Sequence, residues 1–332
     1  MDNLGYITNG RQLIVGVGSA LVDILAHEDD AFLATTGAAK GGMTLVAKED
    51  IEHTLARSSA SISIVPGGSA CNTVVGVGNL GGSARFVGKC GNGDMGKLIE
   101  EDLRKQRVQP ALLRSDSPTG RVLSIITPDA QRSMFTYLGA SAEARPEEIN
   151  ADYFKDAAVV HIEGYLLFNP DLIEASLAAA KKAGAKVSLD LASFTVVEAS
   201  KELLDYLVAT YVDILIANED EAKAFTGHSD ERRALETLAA HTDIAVLKVG
   251  PRGSYVRYNG DSIAVKPMGN GDAVDTTGAG DLWAAGFLFG LVNGYTIEHC
   301  GRLASACGYE VCQVIGANIP AEGWQRIRKL LI

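Results

Sequence analysis

The sequence predicts an α/β protein in which helices cover both faces of a parallel β-sheet, with a small antiparallel insertion. A buried strand at Gln12–Gly18 runs into a turn, and strand and helix patterns alternate with short connections from about residue 156. Two β-rich runs, Thr119–Ile126 and Ser133–Leu138, form a hairpin that interrupts this alternation. No linker rich in Pro, Ser or charge divides the chain. We therefore expect one domain over residues 1–332, with the hairpin as its lid.

The alternating part of the chain supplies most of the predicted sheet. Its strands are short apolar runs, and its helices carry apolar residues at helical spacing. The predicted strands are Val159–Ile162, Ala185–Asp190, Asp213–Ala217 and Ile244–Gly250. The predicted helices are Asp171–Ala183, Lys201–Leu207 and Asp230–His241. Because such strands end at one common edge, we expect the ligand site in the crevice beyond their carboxyl ends.

Composition and charge exclude several classes of function. Hydrophobic residues make up 47% of the 332 residues, enough for a full core, and the net charge of −11 argues against non-specific nucleic-acid binding. The apolar runs are shorter than the roughly 18 residues of a membrane span. Five cysteines without a Cys-x-x-Cys pair indicate reduced thiols. With no secretory signal at the N-terminus, we expect a cytoplasmic protein that contacts neither membrane nor nucleic acid.

The stretch Asp275–Asp281 is the strongest candidate for a functional site. Its glycines form a turn that leads into the apolar run Leu282–Gly290, which reads as a buried helix. Backbone N–H groups at such a helix start bind anions, phosphate above all. Asp281 lies in the first turn of this helix, where a carboxylate beside a phosphate must handle a proton or a metal. We interpret it as the general base of a phosphoryl transfer; the alternative is a plain helix cap.

Two earlier segments offer groups for a substrate. Asp23 follows the first strand and is either a ligand or a solvated loop residue. Gly67 and Gly68 open a helix of small residues, which indicates either tight helix packing or close approach to a ligand. Asn72, one turn into that helix, has a donor and an acceptor suited to a sugar hydroxyl.

The glycines at 91, 93 and 96 match a dinucleotide-binding pattern, but only weakly. The acid with the required spacing, Asp116, is expected in a loop rather than at a strand end. A P-loop is excluded because Leu98 stands where the magnesium-binding Ser or Thr should be. An NAD-dependent oxidoreductase is therefore an alternative that we do not favour.

Three further features indicate anion or metal chemistry, each with a simpler explanation. The acids that follow Asn218, ending at Glu221, suit magnesium, but they also suit a solvated helix start. The turn Lys248–Ser254 lines a nucleotide pocket or merely connects two strands. Arg132, near the hairpin tip, reaches a phosphate or is simply exposed.

Together these pieces resemble the PfkB/ribokinase family of carbohydrate kinases, over about residues 13 to 330. The resemblance rests on Gly67-Gly68 with Asn72, Gly91–Gly96, Asn218 with Glu221, and Asp275–Asp281. Within the family, Gly18–Asp23, Phe135–Ala140 and the segment from Ala304 to Gly316 are most similar to adenosine kinases and their bacterial sugar-kinase relatives.

The resemblance implies a ribokinase-like three-layer α/β/α Rossmann-like domain with a small β-sheet lid formed by parts of 18–50 and 114–140. It also implies an ATP- and Mg²⁺-dependent kinase that phosphorylates the primary hydroxyl of a ribose-containing substrate. Adenosine or a related nucleoside is the expected substrate, and a free sugar such as ribose or fructose is the alternative. A catalytically silent binding protein is disfavoured because the heptad and its base are intact. We expect a monomer or a homodimer.

Residue roles follow from the same resemblance. Asp281 would be the base, and the N–H groups of Gly278, Ala279, Gly280 and Asp281 would form the anion hole. The expected substrate contacts are Asp23, Gly67, Gly68, Asn72 and Arg132, with Met43, Leu45, Tyr165 and Leu166 as an apolar wall. The expected ATP contacts are Asn218, Lys248, Gly250, Gly253 and the segment around Ala306. Glu221 would hold magnesium through water, and Asp275 and Thr277 match positions that bind a monovalent cation, K⁺ for example.

Overall fold

A computed structural model describes residues 10–269 and 271–331 of the chain. The strands are β1 Leu13–Val17, β2 Leu21–His27, β3 Met43–Leu45, β4 Ile62–Gly67, β5 Ala84–Gly91, β6 Val108–Ser115, β7 Thr119–Ile126, β8 Arg132–Gly139, β9 Ala157–Glu163, β10 Lys186–Asp190, β11 Ile214–Asn218, β12 Ile244–Lys248, β13 Ser254–Tyr258 and β14 Asp261–Val265. The helices are α1 Asp30–Ala34, α2 Lys48–Arg57, α3 Ser69–Leu80, α4 Asp94–Lys105, α5 Pro170–Lys182, α6 Phe194–Ala199, α7 Lys201–Tyr211, α8 Glu219–Thr226, α9 Glu231–Leu238, α10 Ala279–Val292, α11 Ile297–Val311 and α12 Ala321–Arg328. The α/β class predicted from the sequence is confirmed.

The larger sheet is mixed rather than purely parallel. Its strand order is β14-β13-β12-β11-β10-β9-β1-β5-β6, and the strands from β12 to β6 are parallel to one another. The prediction of a wholly parallel sheet was wrong at one edge, where β13 and β14 are antiparallel. Asn259 and Gly260 turn this hairpin with φ of 49° and 85°. An Asn-Gly pair favours that two-residue turn because both of its residues need positive φ.

The smaller sheet has the order β3-β8-β7-β2-β4. Its β7–β8 pair is the antiparallel hairpin expected from the sequence. The strand β4 also belongs to it, although it lies outside the ranges 18–50 and 114–140 that were expected to form the lid. Asp23 lies within β2, paired between Val65 and Val122, and is not in the loop that was expected after β1. That the smaller sheet moves as a lid stays a prediction.

Two of the three glycines of the dinucleotide-like pattern, Gly91 and Gly96, are needed for packing. A Cβ on Gly91 would lie 2.4 Å from the carbonyl oxygen of Ser117, and one on Gly96 would lie 1.9 Å from the carbonyl oxygen of Gly91. Asp116 lies in a loop, as expected, but the loop begins directly after β6, which extends to Ser115. The side chain of Asn92 donates to Asp116 at 3.0 Å. Packing therefore explains the glycines at 91 and 96.

Helix α10 is buried along its length, as the apolar run predicted. Every residue from Leu282 to Val292 is buried, because α3 and α11 flank the helix and the larger sheet lies beneath it. Glycines allow this close packing: a Cβ on Gly76 of α3 would lie 2.6 Å from the Cβ of Ala285. A helix held this firmly fixes the position of its own N-terminus. In the part of the chain that the structure describes, no helix is long and apolar enough to cross a membrane.

The packing of α10 predicts that Gly286→Ala destabilises the fold. The new Cβ would lie 2.8 Å from the Cα of Ala304, a backbone atom that cannot rotate away. Overpacking of this kind costs about 1–3 kcal/mol, which exceeds the helix-propensity gain of about 1 kcal/mol. We expect a net loss in the free energy of unfolding of up to about 2 kcal/mol, measured by urea denaturation.

Gly93→Ala is the matched control for that substitution. Gly93 is exposed at the start of α4, and a Cβ there has no neighbour within 4 Å. We expect a change of at most about 0.5 kcal/mol. An equal loss in both variants would mean that the contact between α10 and α11 is not the cause.

Candidate active site

A cavity of about 570 Å³ lies between the two sheets at the carboxyl ends of the parallel strands. Four neighbouring strands, β9, β10, β11 and β12, each end in a polar residue that lines it. These residues are Glu163, Asp190, Asn218 and Lys248. Parallel strands bring their last residues to one edge, so residues far apart in sequence meet here. The sequence indicated Asn218 and Lys248 but missed Glu163 and Asp190.

The carboxylate of Asp281 is held by the first turn of α3. The hydroxyl of Ser69 donates to Oδ1 at 2.8 Å, and the amide of Asn72 donates to Oδ2 at 2.9 Å. Asp281 therefore does not cap its own helix, which was the alternative interpretation. Burial raises the pKa of Asp281, while the two donors lower it. Its carboxylate is oriented from two sides and lines the cavity.

The N-terminus of α10 offers fewer free donors than expected. Gly278 has φ of 74° and turns the chain into the helix. The N–H of Ala279 donates to the carbonyl of Thr276 at 3.1 Å, and its expected role in the anion hole stays a prediction. The first bond of the helix runs from the N–H of Leu282 to Gly278. The N–H groups of Gly280 and Asp281 thus have no acceptor within the helix.

Lys248 lies directly across from this helix start. Its Nζ would be 2.9 Å from a Cβ placed on Gly280, so only glycine leaves the space between them open. Nζ also forms an ion pair with Oδ2 of Asp190 at 2.8 Å. Burial alone would lower the pKa of Lys248, but the nearby Asp190 and Glu221 carboxylates raise it. Lys248 is therefore a charged group held beside a helix N-terminus, an arrangement suited to an anion.

Asn218 and Glu221 form a reciprocal cap at the start of α8. Oδ1 of Asn218 accepts from the N–H of Glu221 at 2.9 Å, and the Glu221 carboxylate accepts from the backbone and side-chain nitrogens of Asn218 at 2.8 and 2.7 Å. The helix start that the sequence analysis gave as the simpler explanation for the acids after Asn218 is thus present. Burial and the neighbouring Asp190 raise the pKa of Glu221 to about 7.

Metal binding at this corner would need ligands from outside the protein. Among the described residues no group of three or more His, Cys, Asp or Glu side chains could hold a metal ion. A magnesium ion keeps several waters and takes phosphate oxygens readily. The donor set of Glu221 and its neighbours therefore fits an ion that arrives with a nucleotide and is held through water.

The side of the cavity nearer the smaller sheet carries the expected substrate groups. Asp23, Gly68, Asn72 and Arg132 all line it. Gly67 does not, but a Cβ there would lie 2.3 Å from Oδ2 of Asp23, so this glycine makes room for the carboxylate. Burial raises the pKa of Asp23 to about 6, with Arg132 opposing that shift.

An apolar wall is present, but it differs from the expected one. Met43 and Tyr165 line the cavity as expected, together with Phe168, which the sequence analysis missed. Leu45 is 45% exposed and Leu166 is buried in the core, so neither belongs to the wall. Strand β8 contributes one whole face, made of Arg132, Met134, Thr136 and Leu138. The two-residue alternation of a strand could have indicated this face.

The remaining expected residues divide between the cavity and the core. Gly250 and Gly253 line the cavity, whereas Ala306 is buried and does not; its neighbours Ser305, Gly308, Tyr309 and Cys312 line it instead. Asp275 and Thr277 are fully buried and do not line the cavity. Oδ1 of Asp275 accepts from the N–H and hydroxyl of Thr277 at 2.8 and 2.7 Å, and Oδ2 accepts from the N–H of Gly316 at 2.7 Å. The Asp275 carboxylate therefore supports the turn that leads into α10.

Comparison with known proteins identifies the family. The family model for pfkB family carbohydrate kinases matches residues 30–324. This chain belongs to that family. It is therefore a kinase, a phosphotransferase of the sugar and nucleoside kinase type, and kinases of this family use ATP, typically with Mg²⁺.

Three relatives illustrate the range of the similarity. A probable sugar kinase from Rhizobium etli CFN 42 is 33% identical with a TM-score of 0.91, covering 96% of this chain and 98% of that one. An adenosine kinase from Sinorhizobium meliloti is 34% identical with a TM-score of 0.91, covering 96% and 99%. The probable fructokinase-4 of Arabidopsis thaliana is 30% identical over 277 residues, which are 77% of this chain and 84% of that protein. The substrate is not determined by these similarities.

The hydrogen bonds to Asp281 predict the effect of Ser69→Ala. The Ser69 hydroxyl lowers the pKa of Asp281, so its removal raises that pKa further. Asp281 is the predicted base and must be ionised to accept a proton, so activity should fall as the pH drops through its pKa, and the acid limb of the profile should move to higher pH. We expect kcat to fall about tenfold at neutral pH. Steady-state kinetics across pH 5–9 would measure both effects.

Ser61→Ala, at an exposed position, is the control for that experiment. It should leave the profile unchanged. If the acid limb does not shift in Ser69→Ala, the Ser69 hydroxyl does not influence the pKa of the group that limits activity at low pH.

Proposed function

We propose that this kinase transfers the γ-phosphoryl group of ATP to the primary hydroxyl of a ribose-containing substrate, adenosine or a related nucleoside. The observation that carries the proposal is the Asp281 carboxylate, fixed by Ser69 and Asn72 at the open N-terminus of α10. A base, an anion-binding helix start and a cation meet there on one side of a cavity. That combination suits phosphoryl transfer to an alcohol.

Asp281 would accept the proton of the attacking hydroxyl. A carboxylate is a weak base for an alcohol, since its ordinary pKa is near 4. The proton can leave late, however, when the oxygen already bonds phosphorus in a loose transition state. The orientation of the carboxylate therefore matters more than its basicity, and most of the acceleration comes from alignment and charge neutralisation.

The phosphoryl group would lie against the start of α10. The N–H groups of Gly280 and Asp281 would donate to its oxygens, with Lys248 beside them. Arg132, from the opposite sheet, lowers the pKa of both Asp23 and Asp281 and would approach the same group. Closure of the smaller sheet would exclude water, which otherwise competes as the acceptor.

The charge of the cavity supports a metal–nucleotide complex as the donor. Among the described residues, two basic side chains line it, Arg132 and Lys248, against eight acidic ones. The acidic residues are Asp23, Glu163, Asp190, Glu219, Asp220, Glu221, Asp272 and Asp281. A free polyanion would be repelled, and a bound magnesium ion supplies the positive charge that neutralises the phosphates. Asn218 and Glu221 would hold that ion through water.

A monovalent cation near the heptad remains part of the proposal. Asp275 is fully buried, and none of the ion pairs in residues 10–269 and 271–331 includes it. Three hydrogen bonds compensate this carboxylate in part, but a buried charge without an ion pair remains costly. A cation such as K⁺ beside Asp275 and Thr277 would compensate it and stabilise the turn before α10.

The apolar wall favours a nucleoside over a free sugar. Met43, Met134, Leu138, Tyr165 and Phe168 line the cavity, and aromatic and apolar side chains suit the face of a nucleobase. A free sugar has no comparable apolar group. The similarity to an adenosine kinase agrees with this choice, whereas the similarity to a probable fructokinase keeps a free sugar as the second candidate.

The assigned base predicts that Asp281→Asn loses about three or more orders of magnitude in kcat, because the proton acceptor is gone while the shape is kept. ATP should still bind, with a Kd within about threefold of wild type. Single-turnover transfer and isothermal titration would measure the two quantities. Asp261→Asn, exposed on β14, is the control. If Asp281→Asn turns over at nearly the wild-type rate, Asp281 is not the general base.

The wall predicts that Phe168→Ala discriminates between acceptors. Phe168 is 40% exposed and lines the cavity, so its loss should not unfold the protein. The KM for adenosine should rise about tenfold with the KM for ATP unchanged. A coupled assay across nucleosides, ribose and fructose, with Tyr206→Ala as the remote aromatic control, would test this. Faster turnover on a free sugar than on any nucleoside would reverse the choice of substrate.

A further inference from the structure

In the described part of the chain, the backbone crosses between the two sheets after β1, β4, β6 and β8, and the first two of these connections are adjacent. It leaves the larger sheet after β1, through Gly18 and Ser19, to begin β2 of the smaller sheet. It returns at Gly68, which separates β4 from α3. Gly68 has φ of 105°, and a Cβ on it would lie 2.2 Å from the carbonyl oxygen of Ser19. The two connections are therefore in direct contact.

One carboxylate contacts both connections. Glu163 is the last residue of β9 and is 1% exposed. Its Oε1 accepts from the N–H of Ser19 at 2.8 Å, and its Oε2 accepts from the N–H of Ala70 at 2.9 Å. A Cβ on Gly18 would lie 2.2 Å from Oε2, so the carboxylate fills the space beside this glycine. A single side chain of the larger sheet thus holds the outgoing and the returning segment.

The returning segment is also the support of the catalytic base. Ala70 lies in the first turn of α3, between Ser69 and Asn72, which donate to the two oxygens of Asp281. Any movement of this turn relative to β9 changes the orientation of the Asp281 carboxylate. The bond from Ala70 to Glu163 opposes that movement.

Stability alone does not account for a carboxylate in this place. Burial raises the pKa of Glu163 to about 7, and the nearby Asp281 raises it as well, although the two backbone donors act against both. A buried acid beside another acid is costly, and an apolar residue of similar volume would avoid the cost. An ionised carboxylate is nevertheless the side-chain group that accepts two backbone N–H bonds at once without presenting a donor to either.

We propose that Glu163 is a positioning residue that clamps two adjacent connections between the sheets, those after β1 and β4, and, through the first turn of α3, fixes the orientation of the Asp281 carboxylate. It couples the placement of the smaller sheet to the geometry of phosphoryl transfer. This inference rests on the proposed function for its kinetic consequence, but its structural part does not depend on any substrate.

The test compares Glu163→Gln with Asp213→Asn, a matched buried acid-to-amide change. Asp213 also accepts a backbone N–H, that of Val187 at 2.8 Å, but at the opposite ends of the strands. In Glu163→Gln the amide NH₂ faces one of the two N–H donors. Hydrogen–deuterium exchange of the protein without ligands should therefore accelerate about tenfold in peptides covering Ser19 and Ala70. The control should leave these two peptides unchanged.

The kinetic arm separates positioning from general loss of stability. Glu163→Gln should lower kcat about 10–100-fold, because the base is misaligned, with the KM for ATP within about twofold. ATP hydrolysis in the absence of an acceptor should rise relative to transfer, because the smaller sheet is held less firmly. Asp213→Asn should change neither kcat nor the ratio of ATP hydrolysis to transfer, even if it lowers the unfolding temperature.

Gly18→Ala is the second variant, used if Glu163→Gln does not fold. Gly18 does not have a positive φ, so alanine is allowed by the backbone, and its Cβ would displace the carboxylate. It should accelerate exchange in the same two peptides.

Three results would overturn the proposal. They are unchanged exchange at both connections, equal acceleration in Asp213→Asn, and a rise in the acceptor KM alone with exchange unchanged, which would assign Glu163 to direct substrate contact. If no acceptor is phosphorylated by wild-type protein, the proposed function fails, whereas the exchange result still decides the clamp.

Discussion

The structure depends on holding one half-buried carboxylate in a fixed orientation at a helix N-terminus. Asp281 stands where the apolar helix α10 begins, and that helix cannot shift because α3, α11 and the larger sheet enclose it. The carboxylate itself is oriented by Ser69 and Asn72 from α3. The burial that makes an acid unfavourable here also strengthens each of its hydrogen bonds. The rigid packing of α10 therefore fixes the position and orientation of the Asp281 carboxylate.

The charged residues around this point are arranged by topology. Neighbouring strands deliver Glu163, Asp190, Asn218 and Lys248 to one edge, and their charges compensate in part through the Lys248–Asp190 ion pair. The remaining excess of carboxylates favours a donor that arrives with its metal ion. The smaller sheet completes the cavity with a face of β8 and with Asp23 from β2. Neither sheet alone forms the site.

The sequence was sufficient where chemistry is local. The heptad that leads into α10, the helix start after Asn218, and the β7–β8 hairpin all follow from short-range patterns. Asp190 and Glu163 were missed because their partners, Lys248 and Ser19, are distant in sequence and meet only once the strands are ordered. The antiparallel edge at Asn259 was missed although its turn signal was present. Leu45 was misassigned because pairing of β3 with β8, which decides where it points, is not readable from the sequence.

The most direct test of the account is a crystal structure of the complex with adenosine and a non-hydrolysable ATP analogue with Mg²⁺. The account predicts that the 5′ oxygen lies within about 3.2 Å of an Asp281 carboxylate oxygen, in line with the terminal phosphorus at the N–H of Gly280. A closed complex in which another side chain holds that hydroxyl, with Asp281 more than about 5 Å away, would contradict it.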